Sequence, residues 1–147
     1  MPERRCLIFE EIGAIMPDVD RLLLGHATVG RWSLGAICDH LARSVELTLD
    51  LPPADAPPTR EQTVFRRLFF RAPAFPEGQS IPLAVQHPAA DVEDAAAAEA
   101  LRAALARLAA HEGPFAAHPV MGPMSREEWL RFHARHAAHH LAFAVPT

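Results

Sequence analysis

Residues 33–50 read SLGAICDHLARSVELTLD, and the spacing of their apolar side chains decides the fold. Leu34, Ile37, Leu41, Val45 and Thr48 recur every three or four positions, with Asp39, Arg43, Glu46 and Asp50 opposite, the period of a helix that buries one face. Ser33 supplies an N-cap. The prolines of LPPADAPP, residues 51–58, close the helix because they cannot donate to its ladder.

Outward from this segment the remaining strong patterns are helical too. After an irregular or extended start, residues 10–24 carry Ile12, Ile15, Met16, Val19, Leu22 and Leu23 at helical spacing, with Gly25 as a stop. Pro17 lacks a backbone donor, which predicts a kink or a fresh start there. Residues 61–71, EQTVFRRLFFR, predict a shorter helix, and residues 75–90 a long loop. Over residues 92–111 alanines and a seam of Leu101, Leu105 and Leu108 predict another helix, with Gly113 beyond its end. Ser125 and Glu128 form a capping-box pattern that opens a last helix running to about Ala144, before Pro146. No alternating run is long enough to supply a sheet. Four substantial helices and one short one predict an all-α bundle, a single domain over residues 1–147.

Composition narrows the function classes. A chain of 147 residues is the size of one domain. Its formal charge of -4 gives no broad basic field, which argues against nucleic acid as a partner. The apolar stretches fall short of the roughly 20 residues that span a bilayer, and the N-terminus MPERRCLIFEE lacks a secretion signal's apolar core. A cytoplasmic protein without a membrane partner is the expectation. Two cysteines, Cys6 and Cys38, make no disulfide framework. Lys, Asn and Tyr are absent while Arg, Ala and Pro abound, the bias of a GC-rich bacterial genome.

Four of the nine histidines fall in HARHAAHH, residues 133–140. On a helical wheel Trp129, His133, His136, His140 and Phe143 share one face, while Glu128, Arg131, Arg135 and Ala138 take the other and His139 sits on the flank. Histidines on the Trp and Phe stripe point inward rather than to solvent. Positions i and i+4 lie within roughly 6 Å at Cβ, so His136 and His140 can share one ion, and so can His133 and His136. His133 and His140 are roughly 10 Å apart along the axis, too far for all three to serve a single metal. A further ligand must come from another helix, and His40 at the border of the apolar seam is the best candidate. His26, His87, His111 and His118 fall in loops or at helix ends, where exposure is the simpler expectation. Without the Glu of H-E-x-x-H, a zinc-protease reading has no support.

GRWSLGAICDHLARS at 30–44 and HPVMGPMSREEWLRFHARHAAHHLAF at 118–143 resemble the two signature segments of the DinB/YfiT-like metalloenzyme superfamily, most closely an uncharacterised bacterial branch. The IPLAV segment and the leucine-seamed helix fit as well, so the resemblance spans nearly the whole chain. It implies a four-helix bundle of up-down-down-up type with one short extra helix. It also implies a divalent metal, Zn or Ni foremost, on His40, His136 and His140. His133 and His139 are then partners of the ligand rings or alternative ligands. Where this chain has His139, the branch often carries an acid, so one bond to a ligand ring is changed or lost.

Three imidazoles leave an open coordination position for water or a thiol. By resemblance to thiol-dependent transferases and isomerases, the expected cofactor besides the metal is a low-molecular-weight thiol such as bacillithiol or mycothiol. The expected function is a thiol-dependent S-transferase or metal-assisted hydrolase acting on a small molecule, and a homodimer is expected by resemblance. The rival reading is a non-catalytic bundle without metal, either a small-ligand binder or a dimeric stress protein. Trp32 and Trp129 read first as packing anchors, Cys38 as a small hydrophobe, and Arg31 and Arg43 as solvated arginines able to attract an anion.

Overall fold

The computed structural model describes residues 3–72 and 92–147. The loop expected over 75–90, with IPLAV and His87, lies outside the described residues, as do most of the residues joining the third and fourth helices. Among those described the chain is mostly helical, with five α-helices: α1 (Ile15–Leu24), α2 (Leu34–Asp50), α3 (Arg60–Arg71), α4 (Asp94–Ala110) and α5 (Arg126–Leu141). No helix among the described residues is long and apolar enough to cross a membrane.

The helix starts follow local chemistry. Ser33 Oγ accepts from the Ala36 amide at 3.0 Å, and Ser125 and Glu128 make both halves of a capping box at 3.0 and 3.1 Å. Thr59 and Gln62 make a second box that starts α3. Pro17 settles as a fresh start. A short 3-10 turn, Ile12–Ala14, precedes α1, and Pro17 then falls in the first helical turn, where its missing N–H leaves no ladder bond broken.

The expectation of no sheet is corrected by a small antiparallel pair, β1 (His26–Thr28) and β2 (Ala144–Pro146), in the register His26 to Pro146 and Thr28 to Ala144. Three-residue strands are too short to show alternation. The last helix accordingly ends at Leu141 rather than near Ala144. Bonds from Val29 N to Phe143 O, 2.7 Å, and from Thr147 N to Gly25 O, 3.1 Å, extend the pairing. They hold the connection between α1 and α2 against the end of α5.

The core joins α2 to α4 and α5, and α1 to α4 and α5. The leucine seam of α4 is buried as expected: Leu101, Leu105 and Leu108 pack with Ile37, Leu41 and Val45 of α2. At the crossing of α2 with the start of α4, a side chain on Gly35 would collide with the Val92 carbonyl. The Gly35 amide donates to Asp94 Oδ1 at 2.7 Å. Ala138, expected on the solvated face of α5, is instead 3% exposed. The Ile12–Ala14 turn and α1 also pack on α5, and the N-terminal segment reaches its end, with Arg5 donating to the Leu141 carbonyl and holding Asp18 through both carboxylate oxygens.

Candidate metal centre

His40 comes from the buried face of α2, and His136 and His140 from adjacent turns of α5. Their side chains meet where those two helices pack. His40 Nε2 lies 3.0 Å from His136 Nε2, and His140 Nε2 lies 3.1 Å from the same atom. His40 is 1% and His136 7% exposed, while His140 is half-buried at the edge. Among the described residues these three form the one group of metal-ligating side chains close enough to hold an ion, with donor atoms within 4.8 Å of one another.

This contact is hard to satisfy with protons alone. A neutral imidazole Nε2 offers either one N–H or one lone pair, along one direction in the ring plane. His136 Nε2 must divide that single direction between two neighbours. A cation at their centre removes the conflict, because all three lone pairs then point at it. Tetrahedral zinc at about 2.0–2.1 Å from each nitrogen sets those nitrogens about 3.3 Å apart. The two spacings at His136 are within a few tenths of an ångström of that, and the His40 and His140 donors lie within 4.8 Å of each other, so the residues present can close on a divalent ion.

The rings are held by aromatic neighbours. Trp32 stacks on His140, with centroids 5.2 Å apart and planes at 16°, and tilts against His40 at 5.1 Å. Phe132 stacks on His136 at 5.6 Å. Burial, and then the neighbouring imidazoles, hold His136 well below the ordinary histidine pKa. The same causes bring His140 down to about 3. Both rings are therefore neutral near pH 7, the state in which their nitrogens can ligate a metal.

The other histidines divide clearly. His133 is buried outside the triad: its Nε2 is bonded to Thr48 Oγ1 at 3.0 Å and its ring stacks on Trp129. His139 packs edge-on against His140 at 5.0 Å, outside the group of three. The exposed role expected for His118 is corrected. Its ring packs against Trp129 and Phe132, its Nδ1 accepts the amides of Val120 and Met121, and burial lowers its pKa to about 4. His26 is half-buried in β1, bonded to the Leu22 carbonyl at 2.9 Å. His111 bonds the Pro114 carbonyl.

Sequence reasoning missed two features. Ser44 and Thr48 follow His40 at i+4 and i+8, and both are buried, with Ser44 Oγ donating to the His40 carbonyl at 2.9 Å. That ladder was visible as a polar stripe within an apolar seam. Trp32 is more than a packing anchor, since it covers two rings of the triad and lines a cleft beside it. Trp129 is the anchor expected, 3% exposed, with its indole N–H on the Ala116 carbonyl.

Comparison with known proteins yields a family model described as "Protein of unknown function (DUF1569)", which matches residues 1–147. No curated protein and no solved structure matches.

Proposed function

We propose, for a chain that belongs to the DUF1569 family, that His40, His136 and His140 hold one divalent metal ion, zinc or nickel, and that the protein is a metal-dependent enzyme. The observation that carries this reading is the approach of two imidazole nitrogens to His136 Nε2 at 3.0 and 3.1 Å in a buried site. On this reading residues 1–147 are a single domain of the DinB/YfiT-like kind. α1, α2, α4 and α5 are its four-helix bundle and α3, at 12 residues longer than the 10 of α1, is the extra helix, which the packing of α2 and α1 on α4 and α5 supports. The reaction is a thiol-dependent S-transfer or a hydrolysis on a small molecule, in a cytoplasmic homodimer.

When bound, such an ion supplies Lewis acidity that brings the pKa of a coordinated water or thiol toward neutrality. The chain's own residues do the rest. His40 and His136 fix two donors inside the core, where their rotamers are locked by packing. His140 places the third at the edge, and Trp32 lies over its face, shielding that side from water. Cys38 takes no part as a nucleophile, because burial and then the Asp94 charge push its thiol up to about 12.

Elemental analysis of protein purified without an affinity tag tests the site. Near-stoichiometric metal is expected, reduced at least tenfold in His40→Ala and His136→Ala and retained in His139→Ala. Wild-type protein that is metal-free and refuses both zinc and nickel overturns the proposal. Thiol conjugation or hydrolysis unaffected by stripping the metal would overturn the enzymatic part alone.

A further inference from the structure

The metal centre adjoins a cleft of about 220 Å³ that shares His140 with it and is walled by Val29, Trp32, Ile37 and Phe143, with exposed Arg31 at its solvent edge. We propose that this cleft receives a small aromatic monoanion, of which an aromatic carboxylate is the simplest case, as the ligand or substrate of the centre. The inference rests on the metal reading above and names what that centre acts on.

Size, wall chemistry and charge each restrict the occupant. An apolar cavity of about 150 Å³ accepts benzene. The present cleft therefore holds one ring and a short substituent, and it is smaller than the roughly 300–1,000 Å³ of sites for larger ligands. Besides the imidazoles of His139 and His140, its walls are an indole, a phenyl ring and aliphatic side chains, surfaces that gain by covering a flat apolar body. Charge supplies the third restriction. Three imidazoles are neutral donors, and among the described residues no carboxylate belongs to the group. A divalent ion there keeps its full positive charge in a buried setting, where electrostatic attraction is strengthened. Arg31 adds a positive charge at the mouth, which favours the approach of an anion. A neutral aromatic molecule would satisfy the walls and leave the charge uncompensated, and a bare anion would do the reverse.

The arrangement follows from the strand pairing. β1 and β2 clamp Val29 to Phe143, and the chain then passes through Gly30, with φ of +99°, to set Arg31 and Trp32 above the end of α5. The cleft is thus built by the same contacts that bring the α1–α2 connection to the metal centre.

The test is calorimetric titration of the zinc-loaded full chain with benzoate, benzyl alcohol and acetate, with zinc content measured on every sample. Benzoate is expected to bind at least ten times more tightly than either control, and its advantage over benzyl alcohol is expected to fall in stripped protein to the severalfold part that Arg31 supplies. Phe143→Ala, outside the triad, should weaken benzoate about tenfold with zinc retained. Arg31→Gln should weaken it severalfold, by less at high salt. Zinc-loaded protein that binds benzyl alcohol as tightly as benzoate, or whose benzoate affinity is unmoved by both variants, overturns the inference and leaves the metal reading standing. Protein that takes up no zinc or nickel overturns both.

Discussion

A thiol in a dry core beside a carboxylate is a poor nucleophile, and Cys38 is such a thiol. It is 0% exposed, and its pKa of about 12 leaves almost no thiolate at neutral pH. Cys6 is exposed. With a disulfide reagent at pH 8, one thiol per chain should react promptly and the second only at the rate at which the native state opens. Prompt reaction of both would mean that α2 is not packed as described. At this scale the candidate site was only partly legible. The α5 wheel left His133/His136 and His136/His140 equal as pairs, and the resemblance alone chose between them. Spacing along one helix carries no information about which imidazole finds another partner. In the fold that partner is Thr48 of α2, which takes His133 and leaves the later pair facing His40.

The elements were the most legible part, because a helix declares itself through its own caps and period. Ser33, Ser125 and the leucine seam of α4 all do in the structure what they were expected to do. The two short strands were not legible, since their pairing depends on the two ends of the molecule meeting. The burial of Ala138 was hidden for the same reason. Gly35 shows how an element can be specified by what it lacks. It sits in the first turn of α2, where alanine would ordinarily favour the helix by about 1 kcal/mol. Here a Cβ would run into the Val92 backbone, which has no flexible end to move aside. Gly35→Ala should therefore destabilise the protein by about 1–3 kcal/mol, the usual cost of overpacking, in denaturant unfolding at neutral pH. Unchanged or increased stability would show that α2 and α4 do not approach so closely. Ser125→Ala should cost about 1 kcal/mol by loss of the α5 cap.

For the whole molecule, burying imidazoles as neutral groups makes the fold sensitive to acid. His133 is held down to about 3, by burial and then by His118, and His118 to about 4 by burial. In the unfolded chain both titrate near 6.5. Between these values the unfolded state binds protons that the native state refuses, so stability rises with pH through the window and falls as pH drops below about 6.5. The loss continues until the folded values are reached, near 4 for His118 and near 3 for His133. Each such group contributes up to about 1.4 kcal/mol per pH unit inside its window. The metal-free protein should thus lose stability steeply from pH 6.5 to pH 4.5 and hold a plateau just above 6.5. Excess zinc should raise the plateau, since it binds the folded state and requires the neutral rings. His133→Gln keeps a polar partner for Thr48 and removes one titrating ring, so its stability should fall less steeply over the same interval, by about one proton's worth of slope. Urea unfolding of metal-free wild type and variant at pH 4.5, 5.5, 6.5 and 7.5 measures both slopes directly. Parallel profiles would mean that His133 takes up a proton in the folded protein as readily as in the unfolded one, and that the packing of α2 on α5 around it is open to water.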